Sequence, residues 1–222
     1  MRDEVIACAM TTVEFKFARV PADWVFDQTV VIIAAHNVAC YAVLESGIHK
    51  HWAYEMGAGF GSGGAPRYNP SRCFETFPFP IFASKAQEAS LAELGDAFHD
   101  IRQRFMLKYQ EGLTKTYNRI NDPNEKLNEI IDLRHLHAEL DRTVINAYGW
   151  NDLDLSHGFH NTKHGIRYTT SETTRRKVLD RLLALNHRRA EEEAELHVQP
   201  TPPISKRSRT KKDARDQILI EL

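Results

Sequence analysis

The chain has 222 residues, 42% of them hydrophobic, enough for one medium domain or two small ones around a real core. Its 29 lysines and arginines stand against 30 acids, a formal net charge of -1. No overall positive field therefore marks a nucleic-acid binder, and any anion-binding surface must be local. Three cysteines without C-x-x-C spacing fit free thiols in a reducing compartment rather than a disulfide framework. The opening MRDEVIACAM lacks the basic-then-apolar order of a secretion signal. No apolar run approaches the roughly 18 residues of a membrane span, so the expectation is a soluble, cytoplasmic protein without membrane contact.

In TTVEFKFARV, Val13, Phe15 and Phe17 alternate with Glu14, Lys16 and Ala18, which predicts a half-buried strand over 12–19. The β-branched run TVVIIAA predicts a second, more buried strand over 29–35. From Asn37, a cap-type residue, Val38, Tyr41, Leu44, Ile48 and Trp52 recur at three- and four-residue spacing and predict one amphipathic helix that stops at the glycines. PRYNPSRCFETFPFP, dense in proline and aromatics, reads as an irregular strand or loop ending at Pro80. Ser84-Lys85-Ala86-Gln87 has the form of a capping box, and Leu91, Leu94, Phe98, Ile101 and Phe105 then predict a long helix over 85–110.

GLTKTYNRINDPNEK reads as a polar linker. Asp122-Pro123 then opens a helix carrying Ile130, Leu133, Leu136, Leu140 and Val144 and closed by Gly149. SHGFHNTKH reads as a loop, and Ser171 caps a last helix over 172–195. Residues 197–222, with three prolines and six basic residues between positions 206 and 215, read as a basic, largely disordered tail. The fold class is therefore α+β: a small mixed α/β module over 1–82, then a mainly helical module over 83–196.

Gly59-Phe60-Gly61-Ser62-Gly63-Gly64 satisfies G-x-G-x-x-G, but that fingerprint works where a strand enters and a helix leaves. Here a helix enters and an extended stretch leaves, so the glycines read as a loop tolerant of positive φ rather than a cofactor cradle. No glycine is followed by Lys-Ser/Thr, which excludes a phosphate-binding P-loop. His157, His160 and His164 have spacing that zinc ligands can use, the plainer reading being polar loop histidines. His135 and His137, two apart on a helix, face different directions. Neither Cys73 nor any serine sits in a nucleophile elbow. Glu129, Asp132, Glu139 and Asp141 read as a solvated helix face. Catalytic, cofactor-binding and metal residues are accordingly unassigned.

Basic and aromatic residues interleave at Arg67-Tyr68-Asn69 with Arg72, and again from Lys163 to Arg167 and Tyr168. Arginine and asparagine make bidentate contacts to base edges and tyrosine stacks, so Arg67, Tyr68, Asn69, Arg72, Lys163 and Arg167 are candidate DNA contacts. The alternative is ordinary polar surface with the arginines in ion pairs. The basic tail adds sequence-independent phosphate attraction or simply solubility.

RYNPSRCFETFPFP resembles the Arg-Tyr-x-x-Ser-x-Cys/Val-Phe-x-Thr-Phe-Pro-Phe/Trp-Pro box found late in large adenine-specific DNA methyltransferases of restriction-modification and phage-defence systems, including MmeI-like and type IIG enzymes. LESGIHKHWAYEMG resembles their Leu-x-Ser-x-x-His-x-x-Trp helix, here Leu44, Ser46, His49 and Trp52. LRHLHAELDRTVINAYGWNDLDLSHGFH and GIRYTTSETTRRKVLDRLLALNH resemble their C-terminal helical region, so the similarity spans residues 12–190. The resemblance implies a target-recognition region followed by a helical domain, both working on double-stranded DNA. Phe74, Phe77, Pro78, Phe79 and Pro80 are expected to anchor that region onto the following helix.

In such enzymes a separate domain binds S-adenosylmethionine, and an Asn/Asp-Pro-Pro-Tyr/Phe tetrapeptide holds the flipped adenine. Here Asn69-Pro70-Ser71-Arg72 and Asp122-Pro123-Asn124-Glu125 lack the second proline and the stacking aromatic. The expectation is a C-terminal, target-recognising piece of a site-specific adenine-N6 DNA methyltransferase, inactive alone and serving a catalytic domain or subunit elsewhere. The alternative is a protein–protein interaction subunit of a DNA-modification or phage-defence complex, with no DNA contact of its own.

Overall fold

The structure, a computed structural model, describes residues 4–35, 37–59 and 65–197. The predicted basic tail from residue 198 onward and the centre of the glycine stretch lie outside the described residues. Strands β1 (Glu4–Ala9), β2 (Phe17–Pro21) and β3 (Val30–Ile33) form an antiparallel sheet in the order β2-β1-β3. The central strand β1 has no counterpart in the sequence reading, because Ala7 and Ala9 dilute the contrast between buried Ile6 and Cys8 and their neighbours. β2 starts later than the predicted 12, since a local turn in which the Thr12 hydroxyl accepts from Glu14 N occupies the preceding residues.

The single helix predicted after Asn37 is two helices, α1 (Val38–Glu45) and α2 (Gly47–Met56). Ser46 between them is extended, at φ -65° and ψ 155°. Its hydroxyl donates to Val43 O at 2.6 Å and accepts from His49 N at 3.3 Å, ending one helix and capping the next. The Asp141 carboxylate takes the freed Gly47 N at 2.5 Å, and a Cβ on Gly47 would lie only 2.5 Å from that carboxylate. Only glycine permits this approach.

Short strands β4 (Ala58–Gly59) and β5 (Pro66–Arg67) bracket the glycine stretch as an antiparallel pair. A short strand therefore enters it where the sequence suggested a helix, and a strand rather than a helix leaves, so no helix N-terminus follows the glycines as a dinucleotide fold requires. Inside the proline-aromatic segment, read from sequence as irregular, Asn69 caps a one-turn helix α3 (Pro70–Cys73). The capping box precedes α4 (Lys85–Tyr109): Ser84 Oγ accepts from Gln87 N at 3.2 Å, and Gln87 Oε1 reaches back to Ala83 N at 2.9 Å.

Three further expectations are corrected. The presumed linker after α4 holds helix α5 (Leu113–Ile120), whose Thr116, Tyr117 and Ile120 are buried. Helix α6 (Asn128–Ala147) begins well after Pro123, because Asp122 and Glu125 side chains accept from Asn124 N and Leu127 N and hold a turn. The histidine-rich loop is a hairpin of β6 (Gly158–Thr162) and β7 (Gly165–Thr169), with Lys163-His164 as its two-residue turn and Gly165 at φ 89°. The chain then enters α7 (Glu172–His197), where Ser171 Oγ accepts from Thr174 N at 3.2 Å as expected of a cap.

One core cluster draws Ala39 and Val43 of α1, Ile48 and Trp52 of α2, Leu91 of α4, Leu140 and Val144 of α6, and Val178 and Leu182 of α7 together with Phe77. Elements on both sides of residue 82 thus share an interior, each large apolar side chain contributing roughly 1.5–3 kcal/mol on burial. A second cluster lies under the sheet around Ile6, Phe15, Phe17, Tyr41 and Tyr68. In the proline-aromatic box Phe77, Pro78 and Pro80 are buried and Phe74 and Phe79 half-buried, and Phe77 shares its cluster with Leu91 of the following helix α4 while the box also grips other helices. Phe77 stands edge-on to His49 of α2 with centroids 4.6 Å apart, while Tyr148, Asn186 and Arg189 donate to the carbonyls of Pro78, Thr76 and Phe79. The box therefore ties α2 to α6 and α7.

A dry ionic hub completes the junction. The Glu45 carboxylate, fully buried, accepts from Arg102 at 2.7 Å, Phe17 N at 2.8 Å and the Tyr117 hydroxyl at 3.0 Å, with Lys16 at 3.5 Å. Arg102 also donates to Phe17 O at 2.5 Å and to the Tyr41 hydroxyl at 3.0 Å.

Candidate nucleic-acid interface

A second carboxylate gathers cations at the surface. Glu14, in the turn before β2, accepts from Lys50 of α2 at 2.6 Å, from Arg167 of β7 at 3.0 Å and from Asn121 beyond α5 at 3.3 Å. Burial pushes its carboxyl up, but Lys50, Lys16 and Arg167 outweigh that and hold it at about 2. Four separated segments meet at this one acid, and beside it opens a cleft of about 450 Å³ between α2, the β6–β7 hairpin and the start of α7.

Tyr54 stands in the cleft wall. Its hydroxyl donates to Val13 O, and its ring packs on Phe15 at 5.1 Å and on the hairpin-tip His164 at 5.5 Å. Lys50 and Lys163 ammonium groups lie 5.7 and 5.9 Å from the ring centroid, within cation–π range. The floor is neutral: His51 Nε2 is 2.8 Å from the Thr170 hydroxyl, and burial holds its imidazole down at about 3. At the far wall Arg175 and Arg176 share Glu172 at 2.7 and 2.9 Å, and those hydrogen bonds, Arg175 first, hold Glu172 at about 2.

Lys50, Lys163, Arg167, Arg175 and Arg176 thus face Glu14, Glu55 and Glu172, five cations against three carboxylates. The excess sits at the mouth, where the Arg176 side chain is 73% exposed and Lys163 has no ion-pair partner among the described residues. His164 Nε2 is buried without a hydrogen-bond partner there. The arrangement has the chemistry to receive phosphodiester oxygens from solvent.

Of the sequence candidates, Lys163 and Arg167 line this cleft. Arg67 on β5 and Arg72 on α3 are exposed but stand outside it, and Asn69 uses its side-chain oxygen to cap α3 through Ser71 N and the Ser71 hydroxyl. Tyr68 is corrected: it is 0% exposed, its hydroxyl lies 2.9 Å from His49 Nε2, and its ring is edge-on to Phe15 and Phe17. It has no face to stack on a base. Asp141 is corrected too, being buried and holding Gly47 N and His157 Nε2 rather than lying on a solvated face.

The histidines diverge, His157 to Asp141, His160 to Ser156 O and His164 to Tyr54. Among the described residues no group of three or more His, Cys, Asp or Glu side chains could hold a metal ion. The sequence reading missed Glu14, Lys50, Tyr54, Arg175 and Arg176. The one local signal was Lys50 with Tyr54, four apart on a helix and so on one face. Among the described residues no helix is long and apolar enough to cross a membrane.

No protein-family model matches this chain, and no curated protein matches it either. In three dimensions, the α+β arrangement is similar to part of a much larger solved restriction-modification protein. That protein is the type IIL enzyme MmeI, solved in complex with DNA; the likeness has a TM-score of 0.60 at 17% sequence identity. The match covers 86% of this chain and 22% of that one, so this chain corresponds to less than a quarter of its length.

Proposed function

We propose that this chain is a target-recognition and helical piece of a restriction-modification DNA methyltransferase, and that it contacts duplex DNA through the Glu14 cleft. The observation that carries the reading is the cationic excess at the cleft mouth, around exposed Lys163 and Arg176. The similarity in fold to a restriction-modification enzyme solved with DNA supports it. Glu14 and Glu172 hold the guanidinium and ammonium groups in fixed positions, and incoming phosphates compete with those carboxylates for them. Arg67 and Arg72 supply a second, separate contact. Base methylation at adenine belongs to a catalytic domain on another segment or subunit, which would bind S-adenosylmethionine and the flipped base. A cytoplasmic location fits this role.

The test is the salt dependence of duplex binding by the purified chain, followed by fluorescence anisotropy. Three phosphate contacts give a slope near -2.7 in log K against log salt, or roughly a forty-fold loss between 50 and 200 mM. Absence of binding to any duplex at low salt would sink the reading and favour the subunit-interaction role.

A further inference from the structure

The β6–β7 hairpin is a two-stranded ribbon fixed both at its base and at its turn. At the base, the Arg134 guanidinium lies 4.9 Å from the Phe159 ring, Phe159 stands edge-on to Tyr168 at 5.4 Å, and Tyr168 N donates to Asn121 Oδ1 at 3.0 Å. At the turn, the Thr162 hydroxyl donates to Gly165 O at 2.8 Å and accepts from His164 N at 3.1 Å. Between these points the register sorts the side chains. His160 opposes Arg167 and Asn161 opposes Ile166, and because side chains alternate along a strand the two pairs point to opposite faces. The first pair is spent within the protein, Arg167 on Glu14 and His160 on Ser156 O. The second is not. Ile166 is 46% exposed, and Asn161 is exposed with no side-chain hydrogen bond among the described residues.

Neither side chain carries a charge, so neither is suited to phosphate, yet Asn161 borders the cationic cleft and Lys163 lies at the adjoining turn. A stiff ribbon with an uncharged pair beside cations suits the major groove, which is about 12 Å wide and admits two strands. We propose that the β6–β7 hairpin is the base-reading element of this chain, and that Asn161 and Ile166 select an A·T pair in the major groove. The inference rests on the duplex-binding reading above and adds what is read there. A carboxamide offers donor and acceptor together, matching adenine N7 and the N6 amine, whereas guanine presents acceptors only. Ile166 supplies an apolar contact for the thymine methyl, a group that the other unmodified bases lack. As a directly opposed pair the two side chains have Cβ atoms roughly 5 Å apart, so both reach neighbouring base edges.

The experiment is selection of duplexes from a randomised library by the purified full chain, followed by anisotropy on the selected sequence across salt. The chain is expected to select a sequence with a fixed A·T pair. Replacing its thymine by uracil, which removes only the methyl, should weaken binding several-fold. Asn161→Ala should cost roughly ten-fold on that sequence and flatten the selection at the pair, with the salt slope kept because an amide contact to a base releases no counter-ion. Asn161→Asp, whose carboxylate only accepts, should move the choice from A·T toward C·G. Ile166→Ala should no longer distinguish thymine from uracil. Both positions are exposed, so circular dichroism should show each variant folded as the full chain is. Duplex binding with the expected salt slope but no fixed A·T pair, or with a choice that Asn161→Ala and Ile166→Ala leave in place, overturns this inference and leaves the cleft reading standing. No binding to any duplex overturns both.

Discussion

Two carboxylates organise this molecule, and they do opposite things with similar partners. Glu45 and Glu14 each collect cations from distant parts of the sequence. Glu45 does so in a site closed to water, where every acceptor position is met by Arg102, Lys16, Tyr117 or Phe17 N. Glu14 does so at the edge of a cleft, with a side chain 16% exposed and further cations around it that it does not neutralise. A buried charge pair cannot exchange partners without a large desolvation penalty. A pair at a cleft mouth can, so the closed hub fixes the helices and the open one is available to a polyanion.

The comparison breaks most sharply at the closed hub. Arg102→Ala should destabilise the fold by about 3–5 kcal/mol, because it strands Glu45 without its main counter-ion. Chemical denaturation should register this as a lower midpoint. Replacing Glu45 and Arg102 together by apolar residues should cost much less than either single change. If Arg102→Ala leaves the midpoint in place, the hub does not hold α1 to α4.

Acid provides the next effect. Burial holds His49 and His51 at about 3, below the ordinary 6.5 of an unfolded chain. Between those values the unfolded state takes up protons that the folded state refuses, so stability is complete above about 6.5 and is lost as the pH falls toward 3. The loss is on the order of several kcal/mol. Glu14 adds a later loss below its ordinary 4.5 as its carboxyl, held at about 2, is titrated. Denaturant midpoints at pH 7, 5.5 and 4.5 should decline in that order; a flat series would mean that these imidazoles reach water.

A smaller change separates the hubs by function. Glu14→Gln removes the charge that restrains Lys50 and Arg167, and should cost on the order of 3 kcal/mol of stability at neutral pH while raising duplex affinity several-fold. A drop in duplex affinity with folding intact would mean that Glu14 positions these groups more than it competes for them.

Short-range signals carried most of the helical architecture. The Ser84 box and its apolar stripe located α4, and Ser171 located the start of α7, because caps and i,i+4 stripes are written within a few residues. The break at Ser46 escaped, since it depends on Asp141 receiving Gly47 N from 94 positions away. Helix α5 was obscured by its polar composition, its burial resting on Thr116, Tyr117 and Ile120 alone. The interface was half legible for the same reason. Lys163 and Arg167 stand together in the sequence, but Glu14 and Lys50 join them only through folding, and Tyr68, adjacent to exposed Arg67, turns inward. Alternation along a strand decides such inward and outward choices, and in a two-residue strand there is almost none to read.

The central claim is that the open hub meets DNA phosphates, and one measurement addresses it directly: the salt slope of duplex binding for the chain and for Lys163→Glu with Arg176→Glu. Both side chains are exposed, so folding should be unchanged by circular dichroism and denaturation. The double variant should bind more weakly, with a slope shallower by about 1.8, or 0.9 for each lost phosphate contact. An unchanged slope and affinity would place DNA contact away from this cleft and contradict the account.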